Sequence, residues 1–432
     1  MRVLGIRRET KNRWERRVPI VPHDVYELRK RHRIHTLIEP SEQRIFSEEE
    51  YVKNGAVVVD NLKDANYIFG VKEIPINYFE EKKVYVFFSH TIKGQKYNMP
   101  MLKKMLELKD TLIDYELIRD EEGKRLIFFG YHAGLAGAID TLWAYGQRLL
   151  KEGIKTPFVR IKRSFEYGRM DKAEIHLKDI GEQIAEEGLP EEISPMIVGI
   201  MGRGNVSKGV QDIIKLFPYE EIDARSIKEA IKEKKSNRIF MVVFRPEERV
   251  RNVFGEVYSR EDYYTHPEHY ISNMPKHLPF LSILFNATYW EEKYPRLVTK
   301  SHVKELFDKY DNPKLKVIGD ITCDIEGSVE FTVKATMPDE PCFVYDPFTD
   351  SIKDGVIGRG IVVMAVDNLP AELPYDASVF FSHRLKPFVP YIVRANYSTS
   401  FGRLNLPLEI KNAVIALNGE LTPNFKYLEK YL

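Results

Sequence analysis

Short apolar runs alternate with polar stretches along the first third of the chain. The apolar runs, each of strand length, are RVLGI, HTLIEP, NYIFGV, VYVFFS, TLIDYEL and RLIFFG. Between the first two lies HDVYELRKRH, whose apolar positions repeat at helical spacing. Strands that alternate with helices are typical of parallel sheets. The pattern therefore predicts an α/β sheet in this part of the chain.

A long apolar helix and a second alternating region follow. Residues 131–152 carry apolar and small side chains at helical spacing, and Gly153 is a helix stop signal. MIVGIMGRGNVSKGVQDIIKLF then predicts a strand, a glycine turn and a helix. Further predicted strands are RIFMVVF, LKVIGDI, PCFVYD and GIVVMAV. Beyond Pro374, ASVFFSHRLKPFVPYIV and LEIKNAVIAL are predicted helices.

The order of these elements predicts two Rossmann-like α/β domains whose parallel sheets flank a cleft, the second domain being inserted into the first. At 432 residues the chain exceeds the size at which one hydrophobic core stops growing. We place a substrate and catalytic domain at residues 1–135 plus 375–432. A dinucleotide-binding domain that includes the bridging helix is placed at residues 136–374.

Composition narrows the class of partner. The 65 Lys and Arg residues nearly cancel the 64 Asp and Glu residues, and the charges are interspersed, so we expect neither nucleic acid nor a membrane surface as partner. The longest apolar runs are strand length, and MRVLGIRRE lacks the apolar region of a signal peptide, which predicts a cytoplasmic protein. Cys323 and Cys342 are too few for a disulfide framework or a zinc site and are expected as buried free thiols.

The glycine turn is the first candidate for chemistry. Gly202 and Gly204 fit the first two positions of G-x-G-x-x-G directly after a predicted buried strand. Asn205, Val206 and Ser207 would open the helix whose free N–H groups bind a pyrophosphate. Ser207 replaces the third glycine, and an ordinary strand-to-helix turn would give the same string.

An acidic residue after the next predicted strand supports a dinucleotide site. Asp223, in YEEID, lies about 20 residues beyond the turn, where a carboxylate holds a ribose hydroxyl. Arg225 is close enough in sequence to receive a 2′-phosphate instead. The expected cofactor is therefore NAD or NADP.

Two ionisable side chains follow neighbouring predicted strands of the first sheet. Lys72 lies in GVKEIP and His90 in FFSHTIKG. Histidine titrates near neutrality, and burial or a nearby cation brings lysine into the same range. Taken singly, Lys72 better fits a solvated strand end and His90 a turn histidine bonded to backbone, whereas the two together favour chemistry. Arg16 and Arg17 could bind a dicarboxylate bidentately, or they could belong to a surface charge cluster.

A series of strings along the whole chain resembles one family. In order they are GIRRETKNRWERRVPIVP, GVKEIP, FFSHTIKGQ, LIDYE, GLAGAIDTL, GRGNVSKG, GDITCDIEGSVEFT and DNLPAELP. They resemble the lysine-ketoglutarate reductase region of bifunctional aminoadipic semialdehyde synthase. A more distant similarity is to lysine-forming saccharopine dehydrogenase, alanine dehydrogenase and the transhydrogenase nucleotide domains. The resemblance implies reductive condensation of L-lysine with 2-oxoglutarate to saccharopine by NAD(P)H, a reaction of lysine degradation.

The resemblance also implies roles for residues of the first domain. Lys72 and His90 would be the acid–base pair that moves protons as the lysine amine attacks the ketone, water leaves and the imine is reduced. Arg17 would bind a substrate carboxylate, with Arg16 as its neighbour. Glu116, in LIDYE, would be an acidic companion of Lys72; a solvated loop carboxylate is the alternative.

Asp320 and Asp324, in GDITCDIEGS, resemble the segment that lines the nicotinamide side, and one of them is expected to contact substrate. The alternative is a structural role in a turn. We predict no metal site, because no His or Cys cluster accompanies these aspartates.

Two other functions compete with the reductase. One is an amino-acid dehydrogenase of the alanine type, in which ammonia replaces the lysine amine. The other is a nucleotide-binding module without chemistry, against which the presence of both Lys72 and His90 argues. A separate saccharopine dehydrogenase is an expected partner in addition to the small-molecule substrates.

Overall fold

The computed structural model describes residues 2–432, which divide into two compact units. Unit 1 contains the residues before Gly130 together with Pro374–Leu432, and unit 2 is Gly130–Leu373. The boundaries expected from the sequence were after residues 135 and 374. Within the described residues, no helix has both the length and the apolar character needed to cross a membrane.

The first segment of unit 1 forms six strands and three helices. The strands are β1 (Val3–Ile6), β2 (His35–Ile38), β3 (Val57–Val58), β4 (Tyr67–Phe69), β5 (Val84–Phe87) and β6 (Thr111–Asp114). The helices are α1 (Pro22–His32), α2 (Glu48–Lys53) and α3 (Met99–Glu107). Proline at the first position suits the start of α1 because its missing N–H has no helical partner there. Ser47 and Glu50 cap α2 reciprocally.

Unit 2 begins with a long helix and contains ten strands. The helices are α4 (Gly130–Lys151), α5 (Ser164–Tyr167), α6 (Met170–Glu187), α7 (Asn205–Ile214), α8 (Ile227–Glu233), α9 (Pro246–Arg249), α10 (Arg260–Thr265) and α11 (Lys300–Lys309). The strands are β7 (Met196–Met201), β8 (Tyr219–Glu221), β9 (Ile239–Phe244), β10 (Val250–Asn252), β11 (Tyr270–Ser272), β12 (Ile283–Asn286), β13 (Val317–Asp320), β14 (Cys342–Asp346), β15 (Ser351–Asp354) and β16 (Ile361–Met364).

The C-terminal segment returns to unit 1. Its elements are α12 (Pro374–Leu385), α13 (Val389–Ile392), α14 (Leu408–Lys411), β17 (Val414–Leu417) and β18 (Glu420–Leu421). The helix predicted over LEIKNAVIAL is wrong beyond Lys411, because the apolar run Val414–Leu417 is a buried strand antiparallel to β6. The strand predicted at RLIFFG is also wrong. The free side of β6 is taken by β17, and the apolar residues of that run pack on the core without strand partners.

The sheet of unit 1 has the order β18-β17-β6-β5-β4-β1-β2-β3. The strands from β6 to β3 pair in parallel, whereas β17 and β18 are antiparallel. The carboxyl ends of β1, β4, β5 and β6 therefore lie side by side. We call this side of the sheet the carboxyl edge, and it is where open α/β sheets bind ligands.

The sheet of unit 2 has the order β15-β14-β16-β13-β12-β7-β9-β8, and only β14 and β15 are antiparallel to their neighbours. The predicted α/β class with parallel sheets is thus confirmed in both units. One departure matters for the glycine turn: β9, not β8, pairs with β7. The apolar run IFMVVF suits a buried central position, whereas the three polar residues of β8 suit the edge of a sheet.

Candidate active site

Four parallel strands of unit 1 bring predicted site residues to one carboxyl edge. Lys72 follows β4 by three residues, and His90 follows β5 by three residues. Glu116 lies two residues beyond the end of β6, and Arg7 directly follows β1. Because β1, β4, β5 and β6 are consecutive neighbours in the sheet, their following loops meet at this edge. Strand order therefore gathers residues that are more than a hundred positions apart in sequence.

The imidazole of His90 is held by a carboxylate. Its Nδ1 lies 2.6 Å from Oε1 of Glu73, and Oε2 of Glu73 lies 3.3 Å from Nζ of Lys11. Burial opposes ionisation of Glu73, but the hydrogen bond and charge of His90, aided by Lys11, outweigh it and lower the pKa of Glu73 to about 2. The His90 side chain is 32% exposed. With Nδ1 engaged by Glu73, Nε2 is the ring nitrogen that can make a further proton-transfer contact.

The backbone around His90 is fixed and strained. Its φ of 50° lies in the left-handed region, which is uncommon for a residue other than glycine. The side-chain amide of Asn98 donates to the His90 carbonyl at 3.1 Å. The buried carboxylate of Asp114 accepts hydrogen bonds from both the backbone N–H and the hydroxyl of Ser89. These contacts hold the loop in a conformation that it would not adopt alone.

The loop of Lys72 is fixed by a buried carboxylate that the sequence analysis did not single out. Oε1 of Glu9 accepts from the N–H of Val71 at 2.7 Å, and Oε2 accepts from the N–H of Lys72 at 3.1 Å. Burial raises the pKa of Glu9, and the charge of Arg7 opposes that rise. Glu9 follows β1 within the charged string RRETK, which is the only sequence signal that pointed to it. Lys72 itself is half-buried.

Arg17 is buried and rigidly oriented. Its Nε and Nη2 donate to the two carboxylate oxygens of Glu15 at 2.8 and 2.6 Å, and its guanidinium carbon lies 4.2 Å above the Phe129 ring centre. Both members of the pair are at most 2% exposed, so the surface-cluster alternative does not apply to Arg17. Glu15 covers one side of the guanidinium fork. Arg16 is half-buried, and its Nε donates to the Gln43 carbonyl at 3.1 Å.

Glu116 has a cationic partner of its own. Its carboxylate accepts from Nη2 of Arg125 in a close ion pair, and its backbone N–H donates to Asp114 at 2.8 Å. The carboxylate is 18% exposed. Glu116 is thus an ion-paired, half-buried carboxylate, and its role beside Lys72 stays a prediction.

The glycine turn of unit 2 leaves a helix N-terminus uncovered by protein. Gly202 has a φ of 115°, and a Cβ at this position would lie 2.3 Å from the Ala287 carbonyl oxygen. Gly204 is the N-cap of α7, and no protein atom lies within 4 Å of the position that its Cβ would take. The free N–H groups of Asn205 and the next residues thus border open space. This cradle fits the pyrophosphate of a dinucleotide.

The third glycine of the motif usually lets the helix pack closely against its neighbours. In unit 2 other glycines allow the close packing. Ser207 is fully buried, and its hydroxyl accepts from Gln211 at 3.0 Å. A Cβ on Gly134 of α4 would lie 2.0 Å from the Val206 carbonyl oxygen, and a Cβ on Gly209 would lie 2.2 Å from a carbonyl oxygen of α4. The glycines therefore serve the contact between α4 and α7.

The strand order changes which residue lies beside the glycine turn. Met201 pairs with Phe244 in the β7–β9 register, so Arg245 is level with Gly202. Asp223, which follows β8, is one strand further out and 72% exposed, with its carboxylate 3.6 Å from Nη2 of Arg245. Arg245 follows β9, the second strand after the glycine turn, so no local signal in the sequence points to its place beside the turn. Arg225 is exposed.

The two aspartates after β13 have different environments. Asp320 is fully buried and accepts hydrogen bonds from Asn286 at 2.8 Å and from Thr332 at 2.6 Å. Burial raises the pKa of this carboxyl, and these hydrogen bonds oppose the rise. Asp320 thus ties the ends of β12 and β13 together. Asp324 is half-buried at the start of a turn that Gly327 closes, and it is the better candidate for a substrate contact.

Possible metal ligands in unit 2 and the two thiols complete the set of reactive side chains. Within residues 2–432, His266, Glu268 and His269 have ligand atoms within 4.8 Å of one another on the segment between β10 and β11. Exposed groups of this kind are common without an ion. Both cysteines are free: Cys342 is buried, whereas Cys323 is only half-buried.

Some relatives of this sequence are more than twice as long as the matched region, and others are of similar length. Residues 5–136 match the family described as alanine dehydrogenase/PNT, N-terminal domain. The alpha-aminoadipic semialdehyde synthase of Arabidopsis thaliana is 36% identical over 99% of this chain and 41% of its own length. The mitochondrial one of Rattus norvegicus is 35% identical over 99% and 48%. A saccharopine dehydrogenase (NAD(+), L-lysine-forming) of Neurospora crassa is 27% identical over 89% and 90%.

Solved structures share the fold. An L-alanine dehydrogenase superposes with a TM-score of 0.63 at 16% identity over 99% of both chains. The transhydrogenase from Sinorhizobium meliloti gives a TM-score of 0.56 at 14% identity, covering 97% of this chain and all of that chain. This chain spans less than half the length of the synthases that it matches. The chain is therefore similar, over nearly its whole length, to one part of the alpha-aminoadipic semialdehyde synthases, and its residues 5–136 match the alanine dehydrogenase/PNT N-terminal domain.

Proposed function

We propose that this chain is an NAD(P)-dependent reductase that condenses L-lysine with 2-oxoglutarate and reduces the imine to saccharopine, reversibly. The observation that carries the proposal is the carboxyl edge of unit 1, where Lys72 and the His90–Glu73 pair occupy loops of adjacent strands. The name of the Neurospora crassa relative, saccharopine dehydrogenase (NAD(+), L-lysine-forming), joins saccharopine, lysine and NAD for that protein, and the synthases are named for alpha-aminoadipic semialdehyde.

The reaction needs several proton transfers. The amine of the substrate must be neutral to attack the ketone, the carbinolamine oxygen must gain a proton to leave as water, and the product nitrogen must be protonated. His90, through Nε2, is suited to these transfers because Glu73 fixes its other nitrogen and stabilises the positive charge that it gains.

Lys72 supplies a second ionisable group at the same edge. Glu9 fixes the backbone from which this side chain extends. We assign Lys72 a shared role in proton transfer with His90. Glu116 adds a negative charge to this edge, balanced by Arg125.

We assign the binding of substrate carboxylates to Arg17 and Arg16. Glu15 and the Phe129 ring hold the Arg17 guanidinium in one orientation, which reduces the entropy lost when a substrate carboxylate binds. Arg16 is the neighbouring cation. In unit 2, Asp324 is assigned the contact with substrate, and Asp320 the support of its loop.

The cofactor is held by unit 2. Bound NAD(P)H supplies the hydride. The backbone of Gly202, Gly204 and the first turn of α7, from Asn205 to Ser207, would hold its pyrophosphate. Arg245 and Asp223, with Arg225 further along the chain, would meet the adenosine ribose. A separate saccharopine dehydrogenase as partner and a cytoplasmic location stay predictions.

The test is NAD(P)H oxidation by the purified chain, followed at 340 nm. We expect oxidation when L-lysine and 2-oxoglutarate are both present, and none when either is omitted. Pyruvate with ammonium is the matched control for the alanine dehydrogenase type. Activity only in that second mixture would overturn the proposal, and cofactor binding without turnover in any mixture would favour a nucleotide-binding module.

A further inference from the structure

A surface cavity of about 290 Å³ lies in unit 1 between α1 and the segment that joins α12 to α13. Its apolar side is formed by Leu28, Pro387, Pro390 and Tyr391. Its polar side is formed by Glu27, Arg31, His32, Lys386 and Arg394. The volume is at the lower end of the range for small-molecule sites, which suits a small metabolite.

The Arg394 guanidinium has N–H donors that its contacts with His32 do not use. Its Nη2 lies 3.4 Å from both Nδ1 and the carbonyl oxygen of His32, which is close to the limit for a hydrogen bond. Within residues 2–432, no carboxylate forms an ion pair with this guanidinium. A guanidinium has five N–H donors. Arg394 can therefore bind an anion without breaking an existing ion pair.

Cationic charge is in excess around this cavity. Arg31 pairs with Glu27 at 3.2 Å, and Lys386 pairs with Asp24 at 2.6 Å, so two of three cations have acidic partners. Desolvation, and then the charges of Arg394 and Arg31, lower the pKa of His32. The two arginine charges beside this imidazole favour a bound anion, whereas desolvation does not.

The cavity and the candidate active site lie at opposite ends of the parallel strands of unit 1. His32 is the last residue of α1, and β2 begins at His35. The cavity therefore lies at the amino ends of the parallel strands, whereas Lys72 and His90 lie at the carboxyl edge. A ligand here would not compete with the substrate for the same groups.

We propose that this cavity binds a small organic anion, with a carboxylate or phosphate against Arg394 and a flat apolar body against Pro390 and Tyr391. The ligand would bridge the C-terminal end of α1 and the segment from Pro390 to Arg394.

His32 serves as the reporter in the test. We would titrate the full-length protein with phenyl phosphate, inorganic phosphate and benzoate at pH 7, following histidine ring signals by NMR, with His32 assigned from His32→Gln. Saturable movement of the His32 signals by phenyl phosphate or benzoate is expected. Comparison of the two probes tells whether phosphate or carboxylate is preferred. Inorganic phosphate should bind at least about 10-fold more weakly, because it lacks the apolar body.

Matched variants separate the site from a general charge effect. Arg394→Gln should weaken phenyl phosphate at least about 10-fold, whereas Arg384→Gln, on an exposed arginine outside the cavity, should leave it unchanged. Tyr391→Ala should weaken phenyl phosphate but not inorganic phosphate. No saturable change at His32 with either organic probe, equal binding by Arg394→Gln and Arg384→Gln, or equal affinity for inorganic and phenyl phosphate would overturn the proposal.

Discussion

The Nδ1 atom of His90 lies 2.6 Å from Oε1 of Glu73, and this short contact joins the loops that follow two adjacent parallel strands. Glu73 is the residue next to Lys72, so one loop supplies both an ionisable amine and the carboxylate that orients the imidazole. The arrangement is that of an acid–base group fixed by a third residue. It leads to predictions for activity and for stability.

Glu73→Gln should reduce kcat about 10-fold or more, because a neutral amide no longer stabilises the imidazolium. Steady-state kcat at neutral pH measures the effect. Glu42→Gln, at an exposed position, is the control. An unchanged kcat would contradict the role of the pair.

The same change should lower the free energy of unfolding at pH 7 by about 1–3 kcal/mol. The folded pKa of Glu73, about 2, is below its ordinary value of 4.5. The ionised Glu73 carboxylate therefore makes its full contribution to the free energy of unfolding above pH 4.5, and this contribution is lost as the pH falls towards 2. Urea unfolding at pH 7 and pH 3 should show a smaller difference between wild type and Glu73→Gln at the lower pH.

Lys72→Met and His90→Gln should each reduce kcat by about 10² or more, the usual scale of acid–base assistance. Both should still bind NAD(P)H, because the cofactor residues belong to unit 2. Lys103→Met, on the exposed face of α3, is a matched lysine control. Turnover by either variant at the wild-type rate would remove that residue from the mechanism.

Arg245→Gln should weaken NADPH binding about 10-fold or more and change NADH binding less than about 2-fold, because only NADPH carries a 2′-phosphate. Asp223→Asn should weaken NADH binding instead. Fluorescence titration without substrates gives both dissociation constants. If Arg245→Gln affects both nucleotides equally, the residue does not meet the 2′ position.

Gly204→Ala should leave the melting temperature unchanged, since no protein atom lies within 4 Å of the added methyl group. It should nevertheless weaken NAD(P)H binding about 10-fold or more, because the methyl group enters the space next to the α7 N-terminus. Gly202→Ala is the contrasting variant. Its φ of 115° and the approach of the Ala287 carbonyl predict a loss of stability as well.

A buried acidic pair in unit 2 predicts a pH effect away from the site. Burial raises the pKa of Asp140 to about 6, and burial followed by the charge of Asp140 raises the pKa of Glu372 well above its usual range. Raised pKa values mean that stability is lost as the pH rises. Glu372→Gln should therefore melt at a higher temperature than wild type at pH 8 and equally at pH 4. Calorimetry measures this, with exposed Glu192→Gln as control.

Much of the fold follows from local patterns, and the errors have a common cause. The buried strands of unit 2 were predicted because IFMVVF or GIVVMAV specifies a strand by itself. VIAL was taken for the end of a helix because its strand partner, β6, lies some 300 residues earlier. Pairing over such distances leaves no local signal.

The site shows the same limit. Lys72 and His90 could be proposed from their positions after strands, but Glu9 and Glu73 gain their roles only from the order of the strands. Arg245 was missed because the strand that neighbours the glycine turn is the second, not the first, to follow it. Residue type and spacing indicate which chemical groups the chain offers. The order of the strands determines which of these groups lie close together.

The antiparallel pairing of β17 with β6 has a consequence for biosynthesis. All of unit 2 is synthesised before β17 and β18 of unit 1. One side of β6 therefore stays unpaired until β17 has been synthesised. Nascent chains stalled after Leu373 should expose that side to chaperones. The fold thus delays completion of the unit 1 sheet until the segment that follows unit 2 has been synthesised.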